Sequence, residues 1–170
     1  MKTNVKQLAR LALLCAAAVA LSALESIFTP LLPPGAKAGL SNVIVMLAAS
    51  AMGAVPTLTV VLFKAFFALL TRGAVGAAFS LLGGVASACL LLVLFRYGKA
   101  LGVFGISLLG AFTHSASQLL LSCVLYGTAT LAYAPFFLLL SIPSGLITAA
   151  ALRALAAVLD RRSLRNKERN

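Results

Sequence analysis

Glu25 is one of only 3 acidic residues in a chain of 170, and it stands inside a long apolar run. A charge at the centre of a membrane helix costs ~2.5–3.5 kcal/mol on insertion scales, so such a residue needs a reason to be there. Ser22 and Thr29 share its helical face, about one turn before and one turn after. Two roles suit it. It could accept from a ligand's cationic or hydroxyl group or carry a coupling proton, or it could pair with Lys37 or Arg72 and fix helix packing. The residue types leave both open.

His114, the single histidine, lies one turn before Gln118, and Thr113, Ser115 and Ser117 add hydroxyls to the same stretch. No other apolar run is as polar as this one. A His/Gln pair on one face of a membrane helix suits a ligand site as well as it suits a structural contact. Lys37 follows Pro33, Pro34 and Gly35 and precedes the run that holds Asn42. A loop lysine before a helix N-terminus, with an amide one turn inside, is a device for gripping an anion. The competing role is an interfacial lysine reaching for headgroups. Lys64 stands about two turns into its run, ~10 Å from the start, and is expected to snorkel back to the cytoplasmic surface. Arg72 closes the same run and faces either a site or lipid headgroups.

The elements that position these residues follow from length and hydropathy. The chain is 62% apolar and only 10% charged. A water-soluble domain has too little room to hide that much apolar surface, whereas a bilayer requires it. Continuous runs rich in Leu and Ala indicate helices, since they lack the alternation of a membrane barrel. A ruler of ~20 apolar residues gives an all-α bundle of six spans, at about residues 8–28, 38–55, 57–71, 75–95, 101–125 and 134–159. Pro30, Pro33 and Pro34 separate the first two, Pro56 opens the third, and Pro143 with Gly145 should kink the sixth. The whole chain reads as one integral membrane domain with a basic tail over residues 160–170.

The net charge of +11 is a matter of topology. With the N-terminus inside, Lys2, Lys6, Arg10, Arg96, Lys99, Arg153 and the tail (Arg161, Arg162, Arg165, Lys167, Arg169) all face the cytoplasm, and only Lys37 and Arg72 face outward. The basic residues form no stripe for nucleic acid, so both termini are expected inside a bacterial cell membrane. The basic start and following apolar run also resemble a signal peptide, but the run continues past the candidate cleavage site and contains Glu25, which favours a retained helix. Glu25, Lys37, Arg72, His114 and Gln118 then fall in the outer half, where they would suit a small anionic or zwitterionic ligand. Ala12, Ala16 and Ala20 form a small-residue face on the first helix, for internal packing or for docking onto another membrane protein.

Several chemistries are excluded. There is no P-loop, GxSxG or HExxH pattern, and Asp160 is the single aspartate, so no Asp-rich motif can hold Mg²⁺ on a diphosphate. Cys15, Cys89 and Cys123 have neither metal-ligand nor disulfide spacing and read as small packing residues. No catalytic residue, cofactor or metal is expected.

Leu21–Ile27 (LSALESI), Pro34–Ile44 (PGAKAGLSNVI) and Gly110–Leu119 (GAFTHSASQL) resemble the Gx transporter family, whose members are often labelled heptaprenyl diphosphate synthase component I. That family is similar to the substrate-binding S components of energy-coupling factor (ECF) transporters. The resemblance spans nearly the whole chain, and its PGAK-GL-N segment is the most specific part. It implies a six-helix protein that captures a vitamin or precursor at the outer face and works with a membrane coupling protein and two cytoplasmic ATPases. It implies that the first helix docks on the coupling protein through alanines, here Ala12, Ala16 and Ala20. Glu25, Gly35, Lys37, Gly39, Asn42, His114 and Gln118 match the family's polar positions, with Lys64 and Arg72 less distinctive. A non-transporting role beside prenyl diphosphate or quinone synthesis, or extracellular electron transfer, is the alternative reading.

Overall fold

The computed structural model describes residues 5–28, 39–98 and 101–167, and among these it is helical throughout, with no strand. The helices are α1 (Val5–Phe28), α2 (Asn42–Ala51), α3 (Ala54–Tyr97), α4 (Gly102–Tyr126) and α5 (Ala134–Lys167), with a 3-10 stretch at Thr128–Tyr133 before α5. Among the described residues 4 helical stretches are long and apolar enough to cross a membrane. They involve α1, α3, α4 and α5, and α5 runs on through Pro143.

α3 is two limbs rather than one rod. Gly73 interrupts its 44 residues with φ 72° and ψ −173°, a backbone that a side chain would strain and glycine adopts freely. The limbs fold back on each other. A Cβ on Gly84 would sit 2.7 Å from Val61 Cγ1, whereas in a straight helix those residues would be ~35 Å apart. The same close approaches fix the other neighbours. Gly110 meets Leu91 across the α3–α4 connection, and Gly145 meets Leu108 across the α4–α5 connection. The six helical segments therefore alternate in direction along the chain.

α2 departs from the hydropathy reading. The apolar run over residues 38–55 suggests a full span, but the helix holds only 10 residues and is ~15 Å long, half of a ~30 Å hydrocarbon core. Positive-φ backbone at Gly39 (76°) and Gly53 (84°) brackets it. Hydropathy counts apolar residues and does not see these breaks. What α2 lacks in length it makes up in burial, since it packs against α1, α3, α4 and α5. Ile44, Val45, Met46, Ala48 and Ala49 join Cys15, Ala18, Val60, Val61 and Leu91 in the apolar core. Outward, the bundle shows bulky apolar residues such as Leu62, Phe66 and Leu70, as a lipid-facing surface should.

The first helix turns its alanines away from this core. Cys15, Ala18, Ser22 and Glu25 are buried, whereas Ala12, Ala16 and Ala20 are exposed. These three alanines face out of the bundle. Ala12 and Ala16 border an apolar groove of about 470 Å³ between α1 and the first limb of α3, which Leu8, Cys15, Val19, Thr59 and Phe63 also line. The small residues of α3 and α4 do pack internally, with Gly83, Gly84, Ser87 and Gly110 buried.

Candidate functional site

The N-terminal end of α2 stops inside the bundle, and polar side chains from three neighbouring helices gather there. Glu25 comes from the last turns of α1 and is 2% exposed. Its Oε1 accepts the Gly39 backbone N–H at 2.6 Å and its Oε2 accepts the Ser41 hydroxyl at 3.1 Å. The carboxylate thus ties α1 to the turn that leads into α2. That turn closes with backbone hydrogen bonds from Asn42 N to Gly39 O and from Val43 N to Leu40 O. A Cβ on Gly39 would fall 2.5 Å from the Ser144 hydroxyl oxygen, so α5 presses against the same turn.

Lys64 overturns its expected placement. It does not snorkel to the surface: it is 3% exposed, and its Nζ donates to Asn42 Oδ1 at 3.0 Å. The reason is its helix face. Thr57, Val60, Val61, Ala65 and Ala68 are buried beside it, while Leu62, Phe63, Phe66, Leu69 and Leu70 point outward. The lysine lies on the small-residue side and follows it inward. This asymmetry is the sequence signal that would have placed Lys64 in the site.

Arg72, at the end of the same limb, turns inward too, and its Nη2 stands 3.5 Å from the Ser22 hydroxyl on α1. Glu25 lies within electrostatic range of both Lys64 and Arg72. The three charges form one cluster, with two cations around one acid. Opposite charges brought together out of water offset part of one another's desolvation, which makes the burial tolerable.

His114 and Gln118 lie on a different interface. They are buried between α4 and the second limb of α3, with His114 Nε2 and Gln118 Nε2 at 3.1 Å. Gly83 allows this packing, since a Cβ there would meet the His114 ring at 2.8 Å. The two groups of residues approach each other through a small interior void of about 10 Å³, roughly the size of one water. Asn42, Ser87, Ser107 and Thr148 border it, and it touches α4 at Gly110 and Ala111, about one turn before His114. The structure thus brings Glu25, Asn42 and Arg72 together, adds Lys64, Ser22 and Ser41, and keeps His114 and Gln118 one interface away. Lys37 lies outside the described residues. No group of three or more potential metal ligands occurs among the described residues.

This arrangement is closed and rich in donors. It gathers polar groups at the end of a half-length helix. The chain has no match among the curated proteins or among the solved structures. Residues 14–155 match the family model described as heptaprenyl diphosphate synthase component I. That match covers most of the 170 residues, including the whole of α2, α3 and α4, the greater part of α1 and α5, and every charged residue of the buried cluster, and the chain belongs to the heptaprenyl diphosphate synthase component I family.

Proposed function

We propose that the protein is a membrane subunit that captures a small anionic or zwitterionic molecule for uptake, with separate coupling and ATPase subunits supplying the energy, as in ECF transporters. The observation that carries this reading is the buried cluster of Glu25, Asn42, Lys64 and Arg72 where α2 stops inside the bundle. Broken or half-length helices whose N-termini meet polar side chains are how membrane carriers build mid-depth binding sites. The chain has no P-loop, which suits a subunit that draws on ATP hydrolysed elsewhere.

In this reading the chain crosses the membrane as a six-segment bundle with both termini inside. Charge placement supports it. Arg10, Arg96 and Arg153 lie at one end of the bundle, where the Arg153 guanidinium stacks over Phe104 at 4.4 Å, and basic residues collect on the cytoplasmic side. The exposed Ala12, Ala16 and Ala20 face is the surface for a coupling subunit. Small residues let helices approach closely in lipid, where packing rather than hydrophobicity drives association.

A second reading has its own observation, the family's description as a synthase component. Here the chain is a non-transporting membrane partner of prenyl diphosphate or quinone synthesis. With a single Asp in the sequence, it would act beside an enzyme rather than as one.

Affinity purification of the tagged protein from membranes, with mass spectrometry of co-purifying proteins, separates the two. The uptake reading expects a coupling protein and ATPases, and expects Ala16→Leu to release them. Recovery of a prenyl synthase in their place would replace it with the second reading.

A further inference from the structure

We infer that the buried cluster at the N-terminal end of α2 is built for a single acceptor-only anion of the carboxylate type, gripped by Lys64 together with Asn42 and Arg72, and that it excludes ammonium-bearing ligands. This rests on the binding-subunit reading and narrows it, because that reading admits zwitterions.

Buried polar groups in folded proteins nearly always find partners, so a local surplus of one kind identifies what is missing. Asn42 is 6% exposed and its Nδ2 has no acceptor, and neither do Nε and Nη1 of Arg72, all three atoms being sealed from solvent. An ammonium carries three donors, and Lys64 makes one hydrogen bond among the described residues, to Asn42 Oδ1. Among the described residues, every unmatched side-chain group at this end of α2 is therefore an N–H donor. Each oxygen of the nearest acid, Glu25, already accepts one hydrogen bond, from Gly39 and from Ser41.

The surplus selects an oxyanion. A carboxylate accepts on two oxygens and donates nothing, and a guanidinium edge matches its fork. The start of α2 adds the positive end of a helix dipole on the same side. Charge selects among oxyanions. Among the described residues, Lys64 and Arg72 face one carboxylate, Glu25, so one negative charge balances these three and a dianionic phosphate overshoots them. A ligand ammonium would meet two cations and would have to compete with Gly39 and Ser41 for the one carboxylate beside them. Lys64 is thereby a binding residue rather than a structural lysine. Its bond to Asn42 is the contact that the anion competes with.

The test uses the full chain in lipid nanodiscs and reads its thermal midpoint with matched probes: benzoate and hexanoate, then benzamide and hexanamide, phenyl phosphate, benzylamine and phenylalanine. At concentrations well above Kd, the carboxylates are expected to raise the midpoint by roughly 5 °C, and the amides, amine, amino acid and phosphate to leave it in place. Lys64→Met, of similar length and uncharged, is expected to abolish the carboxylate shift while its own midpoint stays within ~2 °C of the parent or above it, because removing a surplus buried charge relieves desolvation. Lys64→Arg should restore part of the shift. Stabilisation by phenylalanine or benzylamine would overturn the inference while leaving a small-molecule binding subunit intact. Stabilisation by phenyl phosphate alone would overturn the charge argument in the same way. No shift with any probe, together with a Lys64→Met chain that melts well below the parent, would make the cluster structural. Loss of the partner subunits in purification would instead strike the uptake reading and leave the carboxylate preference standing.

Discussion

Glu25 shows how one buried side chain can hold three pieces of chain in register. Its two oxygens accept from Gly39 and Ser41, and its charge faces Lys64 and Arg72. Removing it strands a buried backbone donor and leaves two cations uncompensated. Glu25→Ala should therefore destabilise the fold by ~3–5 kcal/mol, and Glu25→Gln by less, ~1.5–3 kcal/mol, read as the loss of helical signal in SDS titration. Equal stability of all three proteins would remove Glu25 from the centre of the account. At this scale the sequence was only half legible. The oddity of Glu25, His114 and Gln118 in apolar runs is visible from residue type alone. Lys64 is different, because snorkelling and burial share one hydropathy value and differ only in helix face. Comparing Thr57, Val60, Val61, Ala65 and Ala68 with Leu62, Phe63, Phe66, Leu69 and Leu70 separates them.

Elements meet here through glycine. The fold-back of α3 rests on Gly73 for the turn and on Gly84 for the close approach to Val61. Gly84→Ala should overpack that contact and cost ~1–3 kcal/mol. Val61→Ala in the same chain should recover part of the loss, so a double-mutant cycle reads a coupling of ~0.5–3 kcal/mol. Independent effects would mean that the two limbs do not touch. Gly145→Ala should be less forgiving, since the new Cβ would meet Leu108 Cα at 3.0 Å as well as its side chain and backbone gives way less easily than a side chain. Here the sequence told helix from strand. It missed the shortness of α2, because Gly39 and Gly53 act through backbone geometry that an apolar count does not register. The same shortness creates the buried helix end on which the site depends.

Among the described residues, the molecule is an apolar surface over an interior that joins an apolar core to a buried polar cluster, with Arg10, Arg96 and Arg153 toward one end. In a cysteine-free background, Thr128→Cys should react with a membrane-impermeant maleimide on intact cells, and Tyr97→Cys only after permeabilisation. Both positions are exposed at chain turns on opposite sides of the bundle. Reversed labelling would invert the topology and put the basic end outside. The apolar groove beside Ala12 and Ala16 belongs to this scale as well, as the surface that a partner would cover. The membrane bundle was legible from composition, whereas the separation of the charged cluster from His114 and Gln118 was not, because which interface a helix face meets is decided by packing.

Everything above turns on whether this interior cluster binds a small molecule. Native mass spectrometry of the protein released from nanodiscs tests it most directly, with wild type compared to Arg72→Ala and Asn42→Ala. Wild type is expected to carry one non-lipid adduct per chain, lost in both variants while their helical content is retained. Wild type released without an adduct, or an adduct that persists in both variants, would contradict it.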